Sequence, residues 1–157
     1  MLSKESLKKI EYELTKYPAD RRQAAVIAAL RIAQAEKGWL SKEAITFVAD
    51  YLGVPDIAVL EVASFYSMYQ TEPVGKYKIT ICTNISCMLR DSDAIVHHLN
   101  KRLGIGFNQA TADGKFTLKE GECMGACGGA PLFHINNIRM CEHLTPAKVD
   151  EILGDLV

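Results

Sequence analysis

The first part of the chain, up to about residue 72, carries apolar residues at helical spacing. In the clearest stretch they recur at positions i, i+3, i+4 and i+7, as Ile45, Val48, Ala49 and Leu52. Ser41 before this stretch is typical of a helix N-cap, and Gly53 after it is typical of a helix end. The same reasoning predicts three more helices, from Ser3 to about Lys16, from an N-cap at Asp20 to a stop at Gly38, and from Pro55 through Ala63. Residues 1–72 are therefore predicted to form a small helical bundle.

From residue 73 onwards the pattern changes to the two-residue period of β-strands. The segment KYKITIC alternates apolar and polar residues, which predicts a strand that ends in a cysteine. Asp113-Gly114 and Asn136-Asn137 are turn sequences between short strand-like segments. Helices are predicted from about Asp91 to Leu103 and after Thr145-Pro146. The order β-α-β-β-β-α predicts that residues 73–157 form a small sheet covered by two helices, so that the whole chain has an α+β fold.

Composition and charge narrow the class of protein. The chain has 157 residues, of which 48% are hydrophobic and 24% are charged, as in soluble globular proteins. A formal net charge of −1 gives no attraction to nucleic acid or to anionic lipid. The longest apolar run, residues 24–30, is too short to cross a bilayer, and the charged N-terminal segment does not resemble a signal peptide. These features predict a bacterial cytoplasmic protein with no direct membrane insertion and no nucleic-acid partner.

Four of the five cysteines form two pairs in turn-like segments. Cys82 and Cys87 occur in CTNISC, with four residues between them, and Cys123 and Cys127 occur in GECMGACGGAP, with three between them. A reducing compartment argues against disulfides. The glycines and the proline of the second segment disfavour a helix there and favour a loop that can wrap around an inorganic group. Because both segments adjoin strands of one small sheet, we expect the four thiols to meet at one end of it.

Three kinds of site compete for these thiols. Structural zinc takes four thiolates, but its usual ligand turns have two residues between the cysteines, unlike either pair here. A thiol–disulfide enzyme requires C-x-x-C at the start of a helix, which this chain lacks. A [2Fe–2S] cluster requires two thiolates on each of two irons, which suits two separate pairs with wider loops. The spacing thus favours an iron–sulfur cluster over zinc, and zinc over a thiol redox site.

The segments CTNISCMLR, TADGKFTLKEGECMGACGGAP and LTPAKVDEIL resemble those of a known family, the 24-kDa-type or E subunit of NADH:quinone oxidoreductase, respiratory complex I. The resemblance includes C-x4-C, a gap of about thirty-five residues and C-x3-C, and it extends to FYSMY and PVGKYKITIC. It implies a thioredoxin-like ferredoxin domain with a small mixed sheet, preceded by the helical bundle. It also implies one [2Fe–2S] cluster, with Cys82, Cys87, Cys123 and Cys127 as the metal ligands.

The resemblance further implies a place in an enzyme complex. The family's partner is a larger flavoprotein subunit that binds FMN and oxidises NADH, so this chain is expected to be an electron-transfer subunit of an oxidoreductase. No glycine-rich loop leads from a predicted strand into a helix, so NADH and FMN are expected on the partner and no catalytic residue is assigned here. The complex is expected on the cytoplasmic side of the bacterial inner membrane. Equivalent subunits of NAD-linked hydrogenases or formate dehydrogenases, and a zinc-bound structural adaptor, remain alternatives.

A few further residues carry weaker predictions. Cys141 belongs to neither pair and is interpreted as a packed thiol near a strand end. The aromatic residues Phe65, Tyr66 and Tyr69 stand at helical spacing, which favours packing in the core. The alternative is that part of this aromatic set contacts the flavoprotein subunit.

Overall fold

The computed structural model describes residues 1–156 and divides into two compact units, Met1–Pro73 and Val74–Val157. Val157, the last residue of the second predicted domain, lies outside the described residues. Each unit has its own buried cluster of apolar side chains. The first unit is helical, whereas the second contains a mixed sheet with helices, so the predicted α+β fold class is confirmed.

Four α-helices form the first unit: α1 (Lys4–Leu14), α2 (Val26–Lys37), α3 (Lys42–Leu52) and α4 (Asp56–Phe65). Helix α2 contacts each of the other three, and its buried Ala29 and Ala33 permit close approach because they carry only a methyl group. Leu30, Leu40 and Leu52 are fully buried in the core between these helices. No helix within residues 1–156 reaches the length and hydropathy needed to cross a bilayer.

The predicted caps of this unit are largely correct. The Ser3 and Ser41 hydroxyls accept hydrogen bonds from main-chain N–H groups three residues later, and Gly53 ends α3 in the left-handed conformation. The predicted N-cap at Asp20 is wrong. A 3-10 turn, Arg22–Ala25, precedes α2 instead, and the Arg22 guanidinium donates to two carbonyls at the end of α3 at 3.0 Å each. This non-local contact holds the segment in the tighter turn.

Within residues 74–156, five strands form one sheet: β1 (Tyr77–Cys82), β2 (Gln109–Ala110), β3 (Phe116–Gly121), β4 (Phe133–Ile135) and β5 (Arg139–Cys141). Their spatial order is β2-β3-β1-β4-β5, with β1 parallel to β3 and all other pairs antiparallel. The predicted order contained four strands, one fewer than the structure. The segment after the Asn136-Asn137 turn forms a strand of its own, β5, which pairs with β4. Asn136 and Asn137 both have positive φ and are the central residues of a β-turn, which the hydrogen bond from the Ile138 N–H to the Ile135 carbonyl closes at 3.0 Å.

In the described part of this unit, three α-helices accompany the sheet: α5 (Ile85–Met88), α6 (Ser92–Leu103) and α7 (Pro146–Asp155). The buried faces of α6 and α7 pack with one face of the sheet, where Ile79, Leu118 and Phe133 are fully buried. Lys78 occupies a polar position in the alternating pattern of β1, the central strand, and is only 4% exposed.

Candidate metal centre

The two cysteine segments leave the sheet at the same edge. Strands β1 and β3 run parallel, and their registers place Cys82 beside Gly121 at the carboxyl ends of both strands. The ladder continues one step further, where the Thr83 N–H donates to the Gly121 carbonyl at 3.0 Å. The chain then turns into CTNISC after β1 and into GECMGACGG after β3. Parallel pairing therefore brings together two segments that are distant along the sequence.

The first cysteine pair is buried. Cys82 is 2% exposed and Cys87 is 1% exposed, and both pack with Ala130 and Leu132 in a small apolar cluster. The short helix α5 turns the chain back after Asn84, whose carbonyl accepts a hydrogen bond from the Cys87 N–H at 2.8 Å. Burial, and then the neighbouring Cys82 thiol, raise the pKa of Cys87. The two thiols are therefore close neighbours in a site with little water.

The second cysteine pair is exposed, and it lies in a loop. The Gly125 N–H points toward the Cys123 sulfur at 3.5 Å, and Gly125 has φ +69°, which glycine adopts without strain. Cys127 begins a 3-10 turn, Cys127–Gly129, and Ala130–Pro131 is a cis peptide. As the glycines and the proline predicted, no α-helix joins Cys123 to Cys127 in the described structure.

Contacts of the sulfur atoms link the two loops. The Cys82 thiol donates a weak hydrogen bond to the Glu122 carbonyl at 3.9 Å, which connects the first pair to the residue before Cys123. The Leu132 N–H donates toward the Cys87 sulfur, and the nearby Cys127 thiol adds to the rise in the Cys87 pKa. The four thiols thus lie in one region, with two main-chain amides directed at sulfur. Such amides stabilise negative charge on a metal-bound thiolate.

The donor set fits a two-iron cluster. All four cysteines are free thiols, and thiolates are the usual ligands of iron–sulfur clusters. Within residues 1–156, no group of three or more His, Cys, Asp or Glu side chains is already gathered around one point. A [2Fe–2S] cluster takes two thiolates on each of two irons, and the chain supplies its thiols as two neighbouring pairs.

A segment without assigned chemistry lies behind the second loop. Residues 142–144, between β5 and α7, place the His143 N–H 2.6 Å from the Gly129 carbonyl and the Leu144 N–H 3.0 Å from the Pro131 carbonyl. The Glu142 side chain also lies against Gly129. Because these contacts are non-local, spacing along the chain contains no signal for them. The positive φ of His143, at 50°, becomes visible only in the structure.

The remaining predicted residues have mixed outcomes. Cys141 is buried in the core of the second unit, as expected for a packed thiol, and burial raises its pKa. Tyr69 is 5% exposed, and its hydroxyl donates to the Ile27 carbonyl at 2.6 Å, so the core interpretation is confirmed there. That interpretation is wrong for Phe65, which is 80% exposed, and Tyr66 is 39% exposed. Phe65 is the last residue of α4, beyond the part of the helix that packs in the core.

Comparison with known proteins gives consistent results. The family described as thioredoxin-like [2Fe-2S] ferredoxin matches residues 10–157. The chain is 42% identical to the E subunit of NADH-quinone oxidoreductase from Rickettsia typhi, covering 96% of this chain and 88% of that protein. It is 37% identical to NADH-quinone oxidoreductase subunit 2 of Thermus thermophilus, covering 94% and 81% respectively.

A solved structure is also similar. It is the crystal structure of an NAD+-reducing [NiFe]-hydrogenase in the air-oxidized state, with a TM-score of 0.75 and 26% identity over 89% of this chain. This chain corresponds to only 24% of the matched hydrogenase chain. The remainder of that protein has no counterpart in these 157 residues.

Proposed function

We propose, since the chain belongs to the thioredoxin-like [2Fe–2S] ferredoxin family, that it is an electron-transfer subunit of an NADH:quinone oxidoreductase. In this proposal Cys82, Cys87, Cys123 and Cys127 bind one [2Fe–2S] cluster. The observation that carries the proposal is the parallel pairing of β1 with β3, which places both cysteine segments at one edge of the sheet. The 42% sequence identity to the Rickettsia typhi protein, over 96% of this chain, supports the assignment to this enzyme class.

A [2Fe–2S] cluster supplies reversible uptake of one electron. The residues of this chain control where that charge resides. Buried Cys82 and Cys87 anchor the inner side of the site among apolar groups, which limits access of water. Cys123 and Cys127 are exposed, so an electron partner can approach the site closely from their side.

Charges around the second pair are expected to influence the reduction potential. Glu120 and Glu122 both precede Cys123 and are exposed. The Thr83 hydroxyl donates to the Glu120 carboxylate at 2.8 Å. Negative charge near a cluster disfavours the addition of an electron, although solvent screens exposed carboxylates. The Gly125 and Leu132 amides act in the opposite direction because they stabilise negative charge on sulfur. We propose that the negative charges outweigh the amides, so that the cluster is a low-potential one-electron carrier.

The electron partner proposed here is a flavoprotein subunit that binds FMN and NADH. No glycine-rich loop follows β1 or β3 in the pattern of a dinucleotide site, and the loop after β3 contains cysteines instead. The isolated chain is therefore not expected to oxidise NADH. We place the assembled enzyme on the cytoplasmic side of a bacterial inner membrane, with this subunit held there through its partners.

A second candidate is the equivalent subunit of an NAD-linked hydrogenase or formate dehydrogenase. The similarity to an NAD+-reducing [NiFe]-hydrogenase structure, at a TM-score of 0.75, favours the hydrogenase version of this alternative. The two candidates share the same cluster and the same chemistry on this chain, and they differ in the enzyme that the chain joins. Co-purification of native partner subunits from the source cell distinguishes them.

The metal assignment is tested by anaerobic purification. The expected protein is reddish-brown, contains iron and acid-labile sulfide in equal amounts, and gives an EPR signal after reduction. Cys82→Ser, Cys87→Ser, Cys123→Ser and Cys127→Ser should each lose most of the visible absorption, because a cluster iron loses one thiolate ligand. Cys141→Ser is the matched control and should retain it. A colourless protein that contains zinc would favour the structural adaptor instead.

A further inference from the structure

The segment Glu142–Leu144 contacts the second cysteine loop through its main chain. The His143 N–H donates to the Gly129 carbonyl, and the Leu144 N–H donates to the Pro131 carbonyl. His143 makes its contact from the left-handed region of backbone conformation, at φ 50°, which costs energy for a residue other than glycine. At the other side of the segment, the Lys148 ammonium group donates to the Glu142 carbonyl at 2.7 Å. The segment therefore connects the loop to α7.

The Glu142 side chain occupies the space next to Gly129 in the same loop. A Cβ atom added to Gly129 would lie 2.5 Å from Glu142 Cδ, 2.6 Å from its Oε1 and 2.7 Å from its Cβ. Such distances are far below van der Waals contact, so any side chain at position 129 would displace the carboxyl group. The neighbouring Gly128 has no atom within 4 Å of an added Cβ. Only one of the two adjacent glycines is thus required by packing.

We propose that Glu142 is a positioning residue for the loop that carries Cys127, and that its carboxylate also lowers the reduction potential of the cluster. Gly129 is two residues after Cys127 and belongs to the same 3-10 turn, so the carboxylate lies against the turn that begins at this ligand. A negative charge at that place opposes the addition of an electron, and because Glu142 is exposed, solvent screens part of the effect. This inference rests on the proposed function, because it assumes a cluster on the four cysteines.

The packing part is tested by a pair of adjacent substitutions in the cluster-loaded protein. Gly129→Ala should accelerate the loss of cluster absorbance in the presence of an iron chelator by roughly tenfold, because the added methyl displaces Glu142 and the loop. Gly128→Ala is the matched control and should lose its cluster at the wild-type rate. If Glu142 positions the loop, Glu142→Gly alone should lose its cluster faster than the wild type. Gly129→Ala should then add little in the Glu142→Gly background, because the obstructing carboxyl group is already absent.

The charge part is tested by Glu142→Gln, which keeps the shape of the side chain and removes its charge. The iron content should equal that of the wild type, while the midpoint potential, measured by EPR-monitored redox titration, should shift upwards. Glu151→Gln on α7 removes an exposed carboxylate from a neighbouring element and is the control for general charge effects. A purely structural role for Glu142 would leave the potential unchanged.

The possible outcomes separate the inference from the proposed function. Wild-type protein that contains no iron and no sulfide would overturn the proposed function itself. Wild-type protein with a cluster, together with equal rates of cluster loss for Gly129→Ala and Gly128→Ala, would overturn the positioning role. An unchanged potential in Glu142→Gln at full iron content would overturn the electrostatic role.

Discussion

Replacement of Lys78 by methionine is expected to stabilise the chain. Lys78 lies in the central strand β1, with 4% of its surface exposed. Burial, with a further contribution from nearby Lys119, lowers the pKa of Lys78 from 10.5 to about 8. Its side chain forms no ion pair within residues 1–156. Folding therefore removes the ammonium group from water without providing a compensating negative charge.

The size of the effect follows from the change in pKa. Each pKa unit corresponds to about 1.4 kcal/mol, so the fall from 10.5 to about 8 destabilises the folded state by roughly 3 kcal/mol at neutral pH. The penalty is fully present below a pH of about 8, where Lys78 is charged in both states. It decreases as the pH rises, since the folded protein then loses the proton before the unfolded chain does. Near pH 10 about 1 kcal/mol should remain.

The assay is urea-induced unfolding of cluster-free, thiol-reduced protein at about pH 7 and about pH 10. Lys78→Met should be more stable than the wild type by roughly 2–3 kcal/mol at the lower pH and by clearly less at the higher pH. Cysteine ionisation affects both proteins alike and cancels in the difference. Lys101→Met, an exposed position on α6, is the control and should change stability by less than about 0.5 kcal/mol. An equal gain at both pH values, or no gain, would refute the argument.

Two further expectations concern the helical unit. Tyr69→Phe should lower the free energy of unfolding in urea by about 1 kcal/mol, because the buried hydroxyl donates to a main-chain carbonyl of α2 at 2.6 Å. Phe65→Ala, at an exposed site, should change the free energy of unfolding by less than about 0.5 kcal/mol. Equal losses in the two variants would contradict the structure. Hydrogen bonds from the Ser6 hydroxyl and the Ser3 N–H lower the pKa of Glu36 to about 2. This stabilisation is present above the ordinary value of 4.5 and is lost as the pH falls toward 2, so the advantage of wild type over Glu36→Gln should shrink on acidification, and a constant difference would contradict it.

Local chemistry made much of the fold predictable. Helix caps such as Ser41 and Gly53 act within one turn, and the hairpins at Asp113-Gly114 and Asn136-Asn137 depend on residues adjacent in sequence. The two cysteine pairs could be identified directly, because their spacing and their glycines are properties of short segments. The candidate ligands, and the kind of metal cluster that they suit, could therefore be predicted from the sequence.

Other features depend on residues far apart in the chain. The turn before α2 is held by Arg22 bonding to the end of α3, and Phe65 is exposed because of where the core of its unit ends. Neither feature has a signature in the neighbouring residues. The alternation along β1 marks Lys78 as a polar position, and its burial likewise becomes visible only in the folded unit.

The amino-acid sequence by itself determined most of the helices, the two hairpin turns and the two thiol pairs, because each arises from interactions within a few residues. Tertiary structure alone decided that β1 lies parallel to β3, so that the loops after both strands meet. The contact between the Glu142 side chain and Gly129 also depends on the tertiary structure alone. The physical reason is that strand pairing and side-chain packing minimise the free energy of the whole folded unit. Their partners are far apart along the chain, and the residues between them give no local signal of the contact.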